Sequence, residues 1–174
     1  MSFNFINGEI HMKQRSLLKA CLAVMVGTAT VCAQEFIQVR TLSELQKIGS
    51  GIDGWTMDAS YLLMNDIDAS ATATWNDGAG FTPIGNQASP FRGYFEGQGY
   101  VIRNLTINRP TESEVGLFGY VEGALVYDVG LLGGSILGQA LIGGLAGWAS
   151  DSALGWCAIN CWVRGGANGG YEVG

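Results

Sequence analysis

The run "VGLFGYVEGALVYDVGLLGG", Val115 to Gly134, has the Val, Leu, Phe and Tyr of a strand, yet a glycine interrupts it every few residues. Glycine weakens a strand interior, because it gives up the most backbone freedom on folding and has no side chain to pack. A chain that repeats such interruptions must turn often and must bring stretches of backbone close together. Gly supplies 27 of the 174 residues, about twice the usual share. It shows neither the three-residue period of collagen nor the polarity of a flexible linker, so the glycines punctuate structure.

Internal repetition gives the punctuation a period. "VGLFG" at Val115 to Gly119 recurs as "GGLAG" at Gly143 to Gly147, an offset of 28, and the same offset lays "CAIN" at Cys157 to Asn160 on "VGLL" at Val129 to Leu132. A second alignment, offset by 24, sets "VIRNLTI" at Val101 to Ile107 on "LVYDVGL" at Leu125 to Leu131, matching Asn104 with Asp128. Within these units apolar residues stand two apart, as in Leu105-Thr106-Ile107, so they share one strand face. No helical period lies between them. Short apolar alternations in units of 24 to 30 residues, bounded by Gly, Asn or Asp, predict an all-β solenoid. In a coil of three short strands the corners go to glycine, and the Leu, Val, Ile and Phe between them stack inward on the next coil.

The start of the chain reads differently. Lys13, Gln14 and Arg15 precede the apolar run "LLKACLAVMVGTATV" and then Val31-Cys32-Ala33, the order of a secretory leader. The apolar part is short for a membrane span of roughly 20 residues. Residues 1–33 are therefore expected to be a leader, with Met12 as the natural start and cleavage after Ala33; Val31 before Cys32 argues against lipid attachment. The mature domain is then 34–174. The closing "GGYEVG" stops in mid-pattern, so this domain is expected to be cut short at its C-terminus.

Without Lys13, Arg15, Lys19 and Glu9, the nine basic and fifteen acidic residues fall to six against fourteen, a net charge of −8. Such a balance repels nucleic acid and anionic lipid, and the mature chain is not expected to insert in a membrane. At its beginning "FIQV" reads as a strand, followed by "TLSELQKIG". Thr41 and Glu44 stand at capping-box spacing, Leu42, Leu45 and Ile48 share a helical face, and Gly49 ends it. A short helix there is expected to cap the open apolar end of the first coil.

The blocks "YLLMNDIDAS", "WNDGAGFTPIG", "PFRGYFEGQGYVIRNLTI", "VGLFGYVEGALVYDVGL" and "IGGLAGW" resemble bacterial surface proteins carrying GLUG repeats. The motif falls on Gly116-Leu117-Phe118-Gly119 and on Gly144-Leu145-Ala146-Gly147, and the likeness runs from about Phe36 to Gly174. It implies a right-handed parallel β-helix, as in filamentous-haemagglutinin-like adhesins and the repeat regions of IgA-specific metallopeptidases. In those peptidases the zinc-binding segment lies outside the repeats. The copy "ALGWCAINCWVRGGANGG" departs from the pattern in its Trp and Cys content.

Candidate chemistry is sparse. The single histidine, His11, precedes the leader, so the mature chain has no His-dependent triad, zinc motif or general base. Asp66 and Asp68 flank Ile67 and, on a strand, share an outer face with Asn65, Asn76 and Asp77 as possible neighbours. That is a candidate calcium site, set against the plain reading of a solvated strand end. Arg92 and Arg103 are candidate bases for a lyase, disfavoured because arginine does not give up its proton. Asn104-Leu105-Thr106 spells a glycosylation sequon, with a corner residue as the competing reading. Cys157 and Cys161 would lie about 13 Å apart along one strand; they read as small buried residues, and a bridge needs a turn between them. Trp55, Trp75, Trp148, Trp156 and Trp162, with Tyr94, Tyr100, Tyr120 and Tyr171, can either pack the solenoid or line a sugar-binding groove.

The expected protein is therefore a secreted or cell-surface module without catalysis or cofactor, a stalk or adhesive element meeting host or matrix glycans or proteins. The alternative is an accessory region of a secreted peptidase or polysaccharide-degrading enzyme whose active site lies elsewhere.

Overall fold

The computed structural model describes residues 35–165; the expected leader and the closing "GGYEVG" lie outside them. Alternation of buried and exposed residues makes the strands, and each strand's inward residues meet their counterparts one repeat away. Every strand-to-strand pairing is parallel. A first sheet joins β1 (Phe36–Val39), β2 (Ser60–Leu63), β4 (Tyr94–Glu96), β8 (Leu125–Tyr127) and β12 (Ala153–Gly155) in that order. A second joins β3 (Ile67–Asp68), β5 (Val101–Asn108), β9 (Gly130–Gly138) and β13 (Ala158–Gly165). Two further pairs link β6 (Ser113–Val115) to β10 (Ala140–Ile142), and β7 (Phe118–Glu122) to β11 (Ala146–Ser150).

The 28-residue offset is the register of the later repeats. Phe118 pairs with Ala146, Val126 with Leu154, and Leu131 with Ile159, so "CAIN" does fall on "VGLL". The 24-residue alignment is wrong: Val101 pairs with Gly130, and Leu125 with Tyr94. The misalignment laid β5 on a segment that begins in β8 of the first sheet and ends in β9 of the second, because stretches that both alternate look alike to a pattern. The repeat also carries four strands rather than the expected three, as in the successive sets β4–β7 and β8–β11.

Turns recur at matched positions in successive repeats, and glycine takes only some of them. Asn104 and Gly133 are left-handed partners, as are Gly123 with Asp151, Asp128 with Trp156, and Glu114 with Leu141. Asn104 is thus the bend residue expected, but its counterpart is Gly133 rather than Asp128.

The core runs inside these ladders. Tyr61, Phe95 and Val126 are fully buried at paired positions. Rings interleave, Phe91 lying 4.9 Å from Phe118 and Phe95 5.5 Å from Phe118, separations at which tilted and edge-on aromatic pairs attract beyond simple burial. The predicted helix is α1 (Leu42–Lys47): the Thr41 side chain accepts from the Glu44 amide, and Glu44 accepts from the Thr41 amide, closing the capping box. Leu45 and Ile48 enter the core beside Trp55, and the Gln46 side chain exchanges two hydrogen bonds with the Thr82 backbone.

Candidate functional site

The two Gly-Leu-x-Gly segments occupy equivalent places. Leu117 and Leu145 are both buried in the core, and the Leu117 and Phe118 amides donate to the carbonyls of Gly144 and Leu145. Their glycines answer a different need from the corner glycines. A Cβ on Gly119 would sit 2.4 Å from the Gly85 carbonyl oxygen, and one on Gly147 would sit 2.5 Å from the Val115 amide nitrogen. A Cβ on Gly116 would sit 2.8 Å from the Gly143 carbonyl oxygen, and one on Gly144 would sit 2.4 Å from the Ile159 side chain. None of the four has positive φ; they are small so that neighbouring backbone and side chains can close in.

Asp66 and Asp68 flank buried Ile67 on an exposed face, but both Asp66 oxygens and the Oδ1 of Asp68 are engaged by the protein. Asp66 accepts from the Val101 amide at 2.9 Å and from Arg103 at 3.1 Å; Asp68 accepts from the Ser70 amide at 3.0 Å and the Asn104 side chain at 3.3 Å. The Val101 amide, and after it Arg103, hold the Asp66 carboxyl below its ordinary pKa; the Ser70 amide does the same for Asp68. The Asn65 amide group reaches the Arg40 and Asp66 carbonyls, and that of Asn76 the Gly80 carbonyl. Among the described residues no group of three or more His, Cys, Asp or Glu comes together as metal ligands. Arg92 is paired with Glu122 and Arg103 with Asp66, so neither guanidinium is poised as a base.

Cys157 and Cys161 are unbridged, half-buried and packed against the core. Burial raises both thiol pKa values, which keeps them protonated. Gly133 and Gly134 of β9 together oppose Cys161, a bulge that shifts the register of β13 by one between Asn160 and Trp162. The Trp- and Cys-rich copy therefore departs from its predecessor at this bend.

The aromatics divide between core and surface. Trp55 and Tyr61 pack inside. On the outer face of the first sheet, Phe36, Tyr94, Tyr127 and Trp156 form a row with ring centroids 5.6, 6.3 and 5.8 Å apart. The Tyr94 hydroxyl donates to the buried Glu96 carboxylate, and burial followed by that bond pushes the phenol pKa up. A second row, Tyr120 and Trp148, lies on β7 and β11 with centroids 6.2 Å apart. A third surface feature escaped the sequence reading: an open groove of about 380 Å³ along β5, β9 and β13, lined by Thr106, Asn108, Ser135, Leu137, Trp162 and Arg164 and walled by Ala73 and Gly78. Two-residue spacing on all three strands was the signal; pairing three strands side by side needed the correct register.

Fold and surface together define an all-β protein of parallel-paired repeats with aromatic outer faces. Two relatives share part of this sequence. A stretch of 144 residues, 81% of the chain, is 38% identical to Halomucin of Haloquadratum walsbyi (strain DSM 16790 / HBSQ001), and 91 residues, 50% of the chain, are 38% identical to a Gly-rich membrane protein of Evansella cellulosilytica. The matches span 2% and 10% of those proteins' lengths. No family model matches the chain, and no solved structure matches it. No helix among the described residues is long and apolar enough to cross a membrane.

Proposed function

We propose that this chain is a segment of a secreted or surface-exposed GLUG-repeat protein, coiled as a right-handed β-helix, whose outer faces hold extracellular ligands without transforming them. The observation that carries this reading is the alignment of outward aromatic side chains in rows, Phe36–Tyr94–Tyr127–Trp156 and Tyr120–Trp148. Parallel pairing sets matching positions of successive strands about 4.8 Å apart, as it does for Tyr120 and Trp148; in the first row Ser60 lies between Phe36 and Tyr94, and Tyr127 stands two residues beyond Leu125, the partner of Tyr94, so those rings meet across neighbouring positions. Flat ring faces beside polar edges suit saccharides and extended chains. The equivalent settings of Gly116–Gly119 and Gly144–Gly147 support the GLUG reading, and likeness to a Gly-rich membrane protein accords with a place at the cell surface.

The test is an array of extracellular glycans and matrix proteins probed with the full chain. Retention on a defined set of ligands, each released chemically unchanged, is the expected result. Absence of any retained ligand, or release of a cleaved product, would sink the proposal.

A further inference from the structure

Resting on that reading, we infer that the groove across β5, β9 and β13 is a saccharide site that takes a short sugar bearing a carboxylate. Three strands in parallel register place two outward columns side by side: Thr106, Ser135 and Trp162 in one, Asn108, Leu137 and Arg164 in the other. The buried partners between them, Ile107, Ile136 and half-buried Val163, hold the columns to the core. At about 4.8 Å per strand, each column is roughly 10 Å long.

The end of the groove on β13 has the most pronounced chemistry. Trp162 is 83% exposed, an uncommon setting for so large an apolar side chain, since burying it would release the most surface from water. Its ring offers a face on which the C–H side of a sugar can stack. Two residues along the same strand, Arg164 is exposed and forms no ion pair with any described residue; Lys47, Arg92, Arg103 and Arg109 are each paired with a carboxylate, and Arg40, also without an ion pair there, donates to the Gln38 side chain. In a protein whose acids outnumber its bases, fifteen to nine over the whole chain, a guanidinium in an open groove with no carboxylate partner among the described residues is available to an anion. Its planar fork matches a carboxylate in two parallel hydrogen bonds. The Thr106 and Ser135 hydroxyls and the Asn108 side chain supply donors and acceptors at hydroxyl spacing; the Asn108 amide group is already anchored on the Gly78 carbonyl at 3.2 Å. The groove volume lies near the lower end of small-ligand sites, which fits one or two sugar rings.

Charge also sets the ligand's length. The acidic chain repels polyanions at long range, so the site selects a single acidic sugar or a short oligosaccharide end over a polymer charged at every unit. Ile52 is an exposed apolar side chain outside both this groove and the aromatic rows, and provides the internal control.

The experiment titrates the full chain with a glucuronic-acid-terminated disaccharide and with its glucose-terminated counterpart, following tryptophan fluorescence and heat. The acidic sugar should bind about tenfold more tightly. Trp162→Ala should weaken both by more than about tenfold, Arg164→Gln should abolish the preference while leaving the neutral sugar unchanged, and Ile52→Ala should change neither. Both groove side chains are exposed, so circular dichroism should show all variants folded. Equal affinity for the two sugars, binding of neither, or equal losses in Ile52→Ala and Trp162→Ala would overturn the assignment. An array ligand that survives both Trp162→Ala and Arg164→Gln removes this site and leaves the wider reading standing; an empty array removes that reading.

Discussion

Val126 on β8 and Leu154 on β12 occupy the same register position one repeat apart, as do Leu131 on β9 and Ile159 on β13. Val126 and Leu131 are 0% and 1% exposed, but Leu154 and Ile159 are 39% and 42% exposed. Identical placement and similar chemistry thus give different burial. The middle repeat has neighbours paired on both sides, whereas β12 and β13 are paired on one side only among the described residues. Stability in such a stack belongs to the interface between repeats rather than to the repeat itself. The same contrast runs through the bends: Asp128 occupies a left-handed position that Trp156 takes in the next repeat, where a bulky side chain is normally excluded. Stacking of Trp156 on Tyr127, 5.8 Å between centroids, offsets part of that strain.

The largest expected difference comes from emptying the interior. Phe118→Ala removes a fully buried ring that packs on Phe91 and Phe95, and should cost about 3–5 kcal/mol in urea unfolding. Leu154→Ala should cost under about 1 kcal/mol, because much of its side chain is already in water. Equal losses would break the contrast between inner and outer repeats.

Glycine offers a second division of smaller size. Gly119→Ala pushes a methyl into the Gly85 carbonyl and should cost about 1–3 kcal/mol. Gly123 has φ +63° with nothing within 4 Å of its would-be Cβ, and its counterpart is Asp151. Gly123→Asn should therefore change stability by less than about 0.5 kcal/mol, since Asn tolerates this conformation. Should the two substitutions cost the same, the distinction between close-approach and corner glycines is lost.

Two aspartates make the comparison electrostatic. Donors on Val101 and Arg103 lower the Asp66 pKa, whereas burial raises that of Asp128. For Asp66 the charged form is favoured by folding, so its contribution is full above the unfolded value near 3.9 and is lost as pH falls through the lower folded value. For Asp128 the folded state favours the proton, so a penalty appears as pH rises through the raised folded value and persists at neutrality. Asp66→Asn should lower Tm at pH 7, by under about 1 kcal/mol of stability for so exposed a group. Asp128→Asn should raise Tm at pH 7 and match the parent near pH 3. Thermal melts at the two pH values decide both signs.

The smallest effect concerns calcium. Both Asp66 oxygens and the Oδ1 of Asp68 already accept from Val101, Arg103, Ser70 and Asn104, so a cation at those three atoms competes with the donors. Millimolar calcium should leave Tm unchanged; a rise abolished by Asp68→Asn would show that the ion wins that exchange.

The local elements were legible because their causes are local. Thr41 and Glu44 specify a helix start through bonds within one turn, and Ile67 between Asp66 and Asp68 specifies a strand face through alternation alone. The 28-residue period was visible wherever Gly-Leu-x-Gly pinned it. Where no such pin existed, at Val101 to Ile107, alternation alone suggested the wrong partner. The groove was hidden for the same reason, since Thr106, Ser135 and Trp162 become neighbours only after β5, β9 and β13 are set in register.

By itself, then, the sequence determined the strand faces where apolar residues stand two apart, the capped helix and the later repeat length, all consequences of side-chain chemistry within a few residues. Tertiary structure alone decided which strands lie together, why Gly119 and Gly147 must lack a Cβ, and which apolar residues are covered. Those outcomes depend on backbone brought close from about thirty residues away, a distance over which a pattern of alternation carries no address.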